Sequence, residues 1–222
     1  MARLRLGVLI SGHGSNLQAL IDANLKRDFG AEVALVVSNQ SDAYGLARAR
    51  DAGLAAALIS HRDYRTRDEF DAALDDALNA EGVELVCLAG FMRVLGTGFV
   101  ERWKNRLINI HPSLLPAFKG LDVHRRVIAA GVRLSGCTVH YVRAEIDNGP
   151  IIVQGAVPVL AGDTAETLEA RVHEIEHQCY PLAVDLIAKG RVQIEGECVR
   201  LLDVRDARGR LINPAPGDPK PA

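Results

Sequence analysis

Apolar residues fall along this chain in short runs punctuated by glycine, proline and small polar residues, and the runs alternate between two spacings. Leu4 to Ile10 is apolar enough for a central parallel strand, Val33 to Ser38 and Ala55 to Ser60 predict two more strands, and Val83 to Ala89 is a continuous apolar run of the kind buried on both faces. Between them the spacing is helical. Ser15 opens a segment with Leu17, Leu20, Ile21 and Leu25 on one stripe and Gln18 placed to complete a capping box. Tyr44 to Ala52 predicts a short helix ended by Gly53, and Thr66-Arg67-Asp68-Glu69 is a second capping box ahead of Phe70, Leu74 and Leu78. Leu107, Ile108 and Ile110 predict another short buried strand, which Pro112 ends by removing a donor. After the loop from Pro112 to Val123, Cys137, Val139 and Tyr141 alternate against Thr138, His140 and Val142, a strand with one wetter face. Asp147-Asn148-Gly149-Pro150 then turns the chain into Ile151 to Val159, so this pair is expected to be antiparallel. Asp163-Thr164-Ala165-Glu166 caps a long helix carrying Leu168, Val172, Ile175 and, past Pro181, Leu182 and Leu186; Arg191 to Arg200 adds a terminal strand.

Strand and helix alternation of this kind predicts an α/β fold: a single domain over 1–200 with a mostly parallel, doubly wound, Rossmann-like sheet and an antiparallel C-terminal part. Residues 201–222 are expected to form a tail, irregular where Asn213 to Ala222 holds four prolines and a glycine. The 28 acidic and 26 basic residues nearly cancel, so any anion must be met locally and nothing global points to nucleic acid or an anionic membrane. Apolar content of 48% without a membrane-length run predicts a soluble globular protein, and the short, interrupted apolar patch after Met1 reads as a strand, not a signal peptide. Cys87, Cys137, Cys179 and Cys198 have no paired spacing, which fits reduced thiols in a cytoplasmic protein.

The candidate chemistry begins at the strand ended by Pro112. Side chains alternate across a strand, so Asn109 and His111 project to one face at its carboxyl end, where open α/β sheets place their ligands. An amide N–H can stabilise an oxyanion and an imidazole can exchange a proton near neutral pH, a pairing suited to acyl transfer. Ser11-Gly12-His13-Gly14-Ser15-Asn16 joins the first strand to the first helix and presents free backbone N–H groups to an anion, without the spacing of a P-loop or a dinucleotide fingerprint. Arg67 in a first helical turn opposes the helix dipole and reads either as a solvated surface residue or as the place where a ligand carboxylate is met, while Gly90 to Leu95 leaves a strand end as an apolar loop, either core packing at the next helix or a wall for a flat heteroaromatic group. His173-Glu174-Ile175-Glu176-His177 matches H-E-x-x-H, so a zinc peptidase with Glu195 or Glu197 as third ligand competes; the sheet pattern supplies its own site elsewhere, and no metal is expected.

Five stretches together resemble the phosphoribosylglycinamide formyltransferase family of folate-dependent enzymes in purine synthesis: Ser11 to Gln18, Leu88 to Arg93, Ile108 to Pro116, Gly136 to His140 and Asp147 to Pro150. The resemblance runs from Gly7 to about Gly190, and the Asn-Ile-His-Pro-Ser-Leu-Leu-Pro run is shared with the wider formyltetrahydrofolate-using superfamily. It implies 10-formyltetrahydrofolate as co-substrate, small-molecule partners only, and a monomer or homodimer, with neither the RNA-contacting nor the regulatory domain of other superfamily members. It also implies Asn109, His111 and Asp147 as the catalytic trio, with Asn109 also touching folate. Gly14, Ser15 and Asn16 would hold the substrate phosphate and Glu176 its ribose. Arg67 would face the glutamate tail of the folate, whose remaining contacts come from Met92, Arg93, Val94 and Leu95 and from Arg143, Ala144, Glu145, Ile146 and Asp147. The implied reaction is formyl transfer to the substrate amine, with deformylase-type hydrolysis as the alternative within the superfamily and a non-catalytic folate or phosphoribosyl binder outside it. His13 stands where many relatives have Asn or Arg, and Asp122-Val123 before His124 departs from the family loop, which leaves the role of 112–125 open.

Overall fold

A computed structural model describes residues 2–205, 208–209 and 211–213. In chain order the elements are β1 (Leu4–Ile10), α1 (Ser15–Asn24), β2 (Ala31–Ser38), α2 (Tyr44–Asp51), β3 (Ala56–Leu58), a 3-10 turn (His61–Asp63), α3 (Arg67–Ala80), β4 (Leu85–Leu88), α4 (Thr97–Arg102) and β5 (Leu107–His111). They continue as α5 (Val123–Ala129), β6 (Leu134–Tyr141), β7 (Ile151–Pro158), α6 (Ala165–Ala188), β8 (Val192–Glu195) and β9 (Cys198–Leu201). The main sheet has seven strands in the order β3-β2-β1-β4-β5-β6-β7. The pairs from β3 to β5 are parallel, and β6 and β7 are antiparallel, as the turn at Asp147 to Pro150 predicts.

Burial on both faces explains why β1, β2 and β4 read as continuous apolar runs, whereas β3 is a three-residue edge strand with no buried residue. Leu6, Val8 and Ile10 of β1 face a core built with α1, α2, α5 and α6, whereas Leu9 faces a second core with Phe70, Leu74 and Leu78 of α3, Phe99 of α4 and Trp103 just past its end. Winding reverses between β1 and β4, which opens a crevice beyond their carboxyl ends. Across it the Met92 N–H donates to Ser11 Oγ at 2.8 Å, tying the segment after β4 to the glycine turn after β1. Tyr180, fully buried on α6, donates its hydroxyl to the Leu88 carbonyl at 2.8 Å and so fixes α6 against the end of β4.

Several expectations are corrected. The segment 191–200 does not join the seven-stranded sheet but forms most of a separate β8–β9 hairpin, because Gly196-Glu197 reverses the chain between two four-residue strands. Ser15 is not a cap: Gly14, with φ 75°, is the N-cap of α1, so the helix starts one residue earlier than a Ser15 capping box requires. Gln18 instead donates to Asp22 and accepts from Arg48. In α6 the capping box pairs Thr164 with Thr167, and Asp163 is drawn away to a bidentate contact with Arg171 at 2.8 and 2.9 Å. The two short helices α4 and α5 lie where no periodic stretch was long enough to predict one. The irregular tail expected over 213–222 lies, from 214 on, outside the described residues.

Candidate active site

β5 delivers the first two groups. Asn109 pairs with His140 and His111 with Thr138 across the antiparallel β5–β6 ladder, so all four side chains sit at the same end of the sheet. The third group arrives from the turn before β7, where Asp147 adopts the left-handed conformation at φ 51°. His111 Nδ1 lies 3.4 Å from Asp147 Oδ2, and both side chains are more than nine-tenths buried. Residues 36 positions apart thus meet, although a turn aspartate ordinarily bonds its own backbone. Phe118 and Asp122, in the loop beside them, are also left-handed, so backbone strain gathers around this pair.

The loop between β5 and α5 lies over the trio. The Phe118 carbonyl is 3.0 Å from His111 Nε2, and the Gly120 N–H donates to Asp147 Oδ2 at 2.8 Å. Both imidazole nitrogens of His111 therefore face oxygen atoms, Nδ1 the Asp147 carboxylate and Nε2 the Phe118 carbonyl. The departures at Asp122 and Val123 do not keep this loop from the site, since Lys119 also donates to Asn148 at 2.6 Å, beside Asp147.

His140 is the group that sequence reasoning left unassigned. Its Nδ1 lies 2.9 Å from the Tyr141 carbonyl, which fixes the proton there and leaves Nε2 as an acceptor. Burial pushes its pKa down, so the ring stays neutral. Nε2 is 3.5 Å from Asn109 Nδ2 and 3.9 Å from Asp147 Oδ1. A neutral acceptor at that place orients the Asn109 amide with N–H groups toward the site. The signal was present in the alternation of Thr138 with His140, and pairing that strand with 107–111 would have found it.

The glycine turn stands over the start of α1, with Ser15 as the first helical residue. Asn16, 8% exposed, donates to Glu176 Oε2 at 2.8 Å, bringing together α1 and α6 across 160 residues. Burial raises the pKa of Glu176, and Asn16 Oδ1 has no partner among the described residues, so a ligand hydroxyl would satisfy this pair. A cleft of about 730 Å³ opens against His13 and Ser15 and runs between α1 and α6 to Asp185; the trio is not in its walls. In the H-E-x-x-H stretch the His173 and His177 rings stack, while Glu176 turns to Asn16; no group of three or more metal-binding side chains occurs among the described residues.

The expected folate contacts divide into two groups. Arg67 opens α3 behind a complete Thr66/Glu69 capping box, and Arg93 lies 4.9 Å over the Phe70 ring on the same helix. Asp71 accepts the Gly96 N–H at 2.7 Å and clamps the 92–96 segment to α3, leaving Met92 and Val94 exposed and Leu95 buried. On the other wall Ile146 is exposed and Ala144 and Glu145 face solvent. Arg143 is placed differently: its guanidinium is held by Glu197 at 3.0 Å and Asn105 at 2.9 Å, so its charge is already partnered within the chain.

The formyl transferase family model matches residues 4–184. The chain belongs to the formyl transferase family. Among its formyl transferase relatives, the phosphoribosylglycinamide formyltransferase of Escherichia coli is 44% identical over 86% of this chain and 90% of its own length. The trifunctional purine biosynthetic protein adenosine-3 of Gallus gallus is 52% identical over 86% of this chain, which spans only 19% of that longer protein. The crystal structure of glycinamide ribonucleotide transformylase 1 from Symbiobacterium toebii superposes with a TM-score of 0.89 at 51% identity, covering 91% of this chain and 95% of that one.

Proposed function

We propose that this formyl transferase moves a formyl group from 10-formyltetrahydrofolate to the amine of 5'-phosphoribosylglycinamide, the formylation step of purine synthesis. The observation that carries the reading is the buried His111–Asp147 contact at 3.4 Å, with the Asn109 amide beside it on β5. Gly14, Ser15 and Asn16 hold the substrate phosphate on free backbone N–H groups, and Glu176 meets the ribose hydroxyls. Exposed Met92, Val94 and Ile146 flank the folate ring system, and Arg67 meets its glutamate carboxylate.

In the reaction the substrate amine attacks the formyl carbon, and its bond to folate N10 breaks. Asn109 Nδ2 and His111 donate to the oxygen as it becomes an oxyanion, and His111 gives a proton to departing N10. Asp147 pairs with the imidazolium and, through water, takes the proton the amine loses, so the proton count balances. Because His111 Nε2 is held by the Phe118 carbonyl, the loop segment around 118–120 yields this contact when the substrates engage. The co-substrate is an organic carrier that the trio serves without a metal. The free thiols at Cys87, Cys137, Cys179 and Cys198 fit a reducing cytoplasm, and the enzyme works as a monomer or homodimer on small molecules.

Steady-state release of formyl from 10-formyltetrahydrofolate, measured with and without phosphoribosylglycinamide, tests this reading. Release that requires the amine supports it. Release at the same rate without the amine indicates hydrolysis instead, and no release under either condition overturns the catalytic assignment.

A further inference from the structure

The glycine turn does not stand alone, because α2 packs directly against its back. The Gly45 N–H donates to the Gly12 carbonyl at 3.1 Å. A Cβ on Gly14 would lie 2.8 Å from Gly45 Cα, and one on Gly45 would collide with Ile10 Cδ1, so only two glycines permit this approach. One turn further along α2, Arg48 Nε donates to the His13 carbonyl and Nη1 to Gln18 Oε1, each at 3.0 Å. Its guanidinium is braced 4.9 Å over the Tyr44 ring, on which the His13 imidazole also stacks at 5.5 Å. The charge of Arg48 is thus held by neutral partners, and no described ion pair consumes it.

These contacts determine where the turn's donors point. In a trans peptide the C=O and the following N–H lie in one plane and point in opposite directions. When α2 takes up the carbonyls of Gly12 and His13, it turns the N–H groups of His13 and Gly14 the other way, away from α2. We infer that Arg48 is a positioning residue for substrate phosphate: it holds the His13 peptide so that the turn presents converging N–H donors, and it adds an unspent positive charge behind them. The inference rests on the reading that this turn binds the phosphate of phosphoribosylglycinamide.

The test compares wild type with Arg48→Ala and Arg48→Lys on two substrates, phosphoribosylglycinamide and the same compound lacking its 5'-phosphate. Loss of a charge-assisted hydrogen bond predicts a KM for the phosphorylated substrate raised roughly 10-fold or more in Arg48→Ala, with kcat within about threefold. The KM for the formyl folate and the kcat/KM for the dephosphorylated substrate stay at wild-type values. Arg48→Lys recovers part of the loss, since it keeps the charge and loses the planar fork. An equal loss on both substrates, or an unchanged KM for the phosphorylated one, overturns the inference. Ser15→Glu, which puts a carboxylate into the turn, separates the two levels. If it weakens only the phosphorylated substrate while Arg48→Ala does not, the inference alone fails; if it leaves discrimination between the substrates unaltered, the phosphate assignment itself fails.

Discussion

Replacing His111 by alanine separates chemistry from folding in the account of the trio. The substitution removes a buried imidazole, 5% exposed, that contacts Asp147 at 3.4 Å and the Phe118 carbonyl at 3.0 Å. Asp147 keeps its 2.8 Å bond from the Gly120 N–H, so its carboxylate is not left bare. Losing the two contacts and leaving one carbonyl unpaired costs about 1–3 kcal/mol, less than the ~5–15 kcal/mol that holds a typical domain folded. For a chain of this length that corresponds to a Tm lowered by roughly 2–12 °C. The chemical loss is larger, because one residue is asked both to donate to the oxyanion and to deliver the proton to N10. Loss of one oxyanion donor alone costs ~10²–10³ in kcat, and the proton transfer overlaps with it, so the expected fall is about 10³-fold, or ~4 kcal/mol of barrier. Amine-dependent formyl release and thermal unfolding, measured on the same preparation, check both numbers. A folded His111→Ala protein with kcat within tenfold of wild type would refute the role given to this residue.

Other expectations follow from separate parts of the molecule. Arg67→Ala raises KM for folate bearing its glutamate tail, leaves KM for phosphoribosylglycinamide unchanged, and has no effect with a tail-less formyl pteridine; equal effects on both folates would remove Arg67 from the tail site. Asp163 is held well below the usual carboxylate range by the Arg171 guanidinium, so this contact stabilises the fold above the ordinary carboxylate pKa and is lost as pH falls through the depressed folded value. Asp163→Asn therefore lowers stability at neutral pH by about 1 kcal/mol after allowance for solvent screening, a Tm shift of roughly 2–4 °C, and the gap to wild type closes at strongly acidic pH, as thermal scans across pH would record. Cys198 is exposed, Cys87, Cys137 and Cys179 are buried, and burial pushes the Cys87 thiol up to about 12. A disulfide-exchange reagent should titrate one thiol rapidly in the native protein and four in denaturant; rapid reaction of all four without denaturant would contradict the buried placements.

The parallel half of the fold was legible because burial on both faces leaves a continuous apolar run, and β1, β2 and β4 each carry one. The end of β5 was equally readable: period two put Asn109 and His111 on one face, and Pro112 marked where the strand stops. Asp147 was a different case. Nothing in Asp-Asn-Gly-Pro distinguishes a residue that closes a turn from one that reaches another strand, and only the resemblance to a family selected it. Its 3.4 Å approach to His111 depends on the antiparallel β5–β6–β7 register, which no local pattern encodes. The same holds for Arg143, whose guanidinium is taken by Glu197 in the β8–β9 hairpin, a contact 54 residues away. At α1 the expected Ser15 cap failed because the left-handed Gly14 ended the turn first. That shift leaves Ser15 at the mouth of the turn and free of a capping role.

The most direct test of formyl transfer by this site is a single-turnover NMR measurement with 13C-labelled formyl folate and 15N-labelled substrate amine. Formyl transfer by the trio gives a new formamide carbon signal split by its bond to 15N, appearing in step with loss of the folate signal and slowed in Asn109→Ala, His111→Ala and Asp147→Asn. An unsplit formate signal accounting for the lost label, or a split product formed at wild-type rates by all three variants, would contradict it.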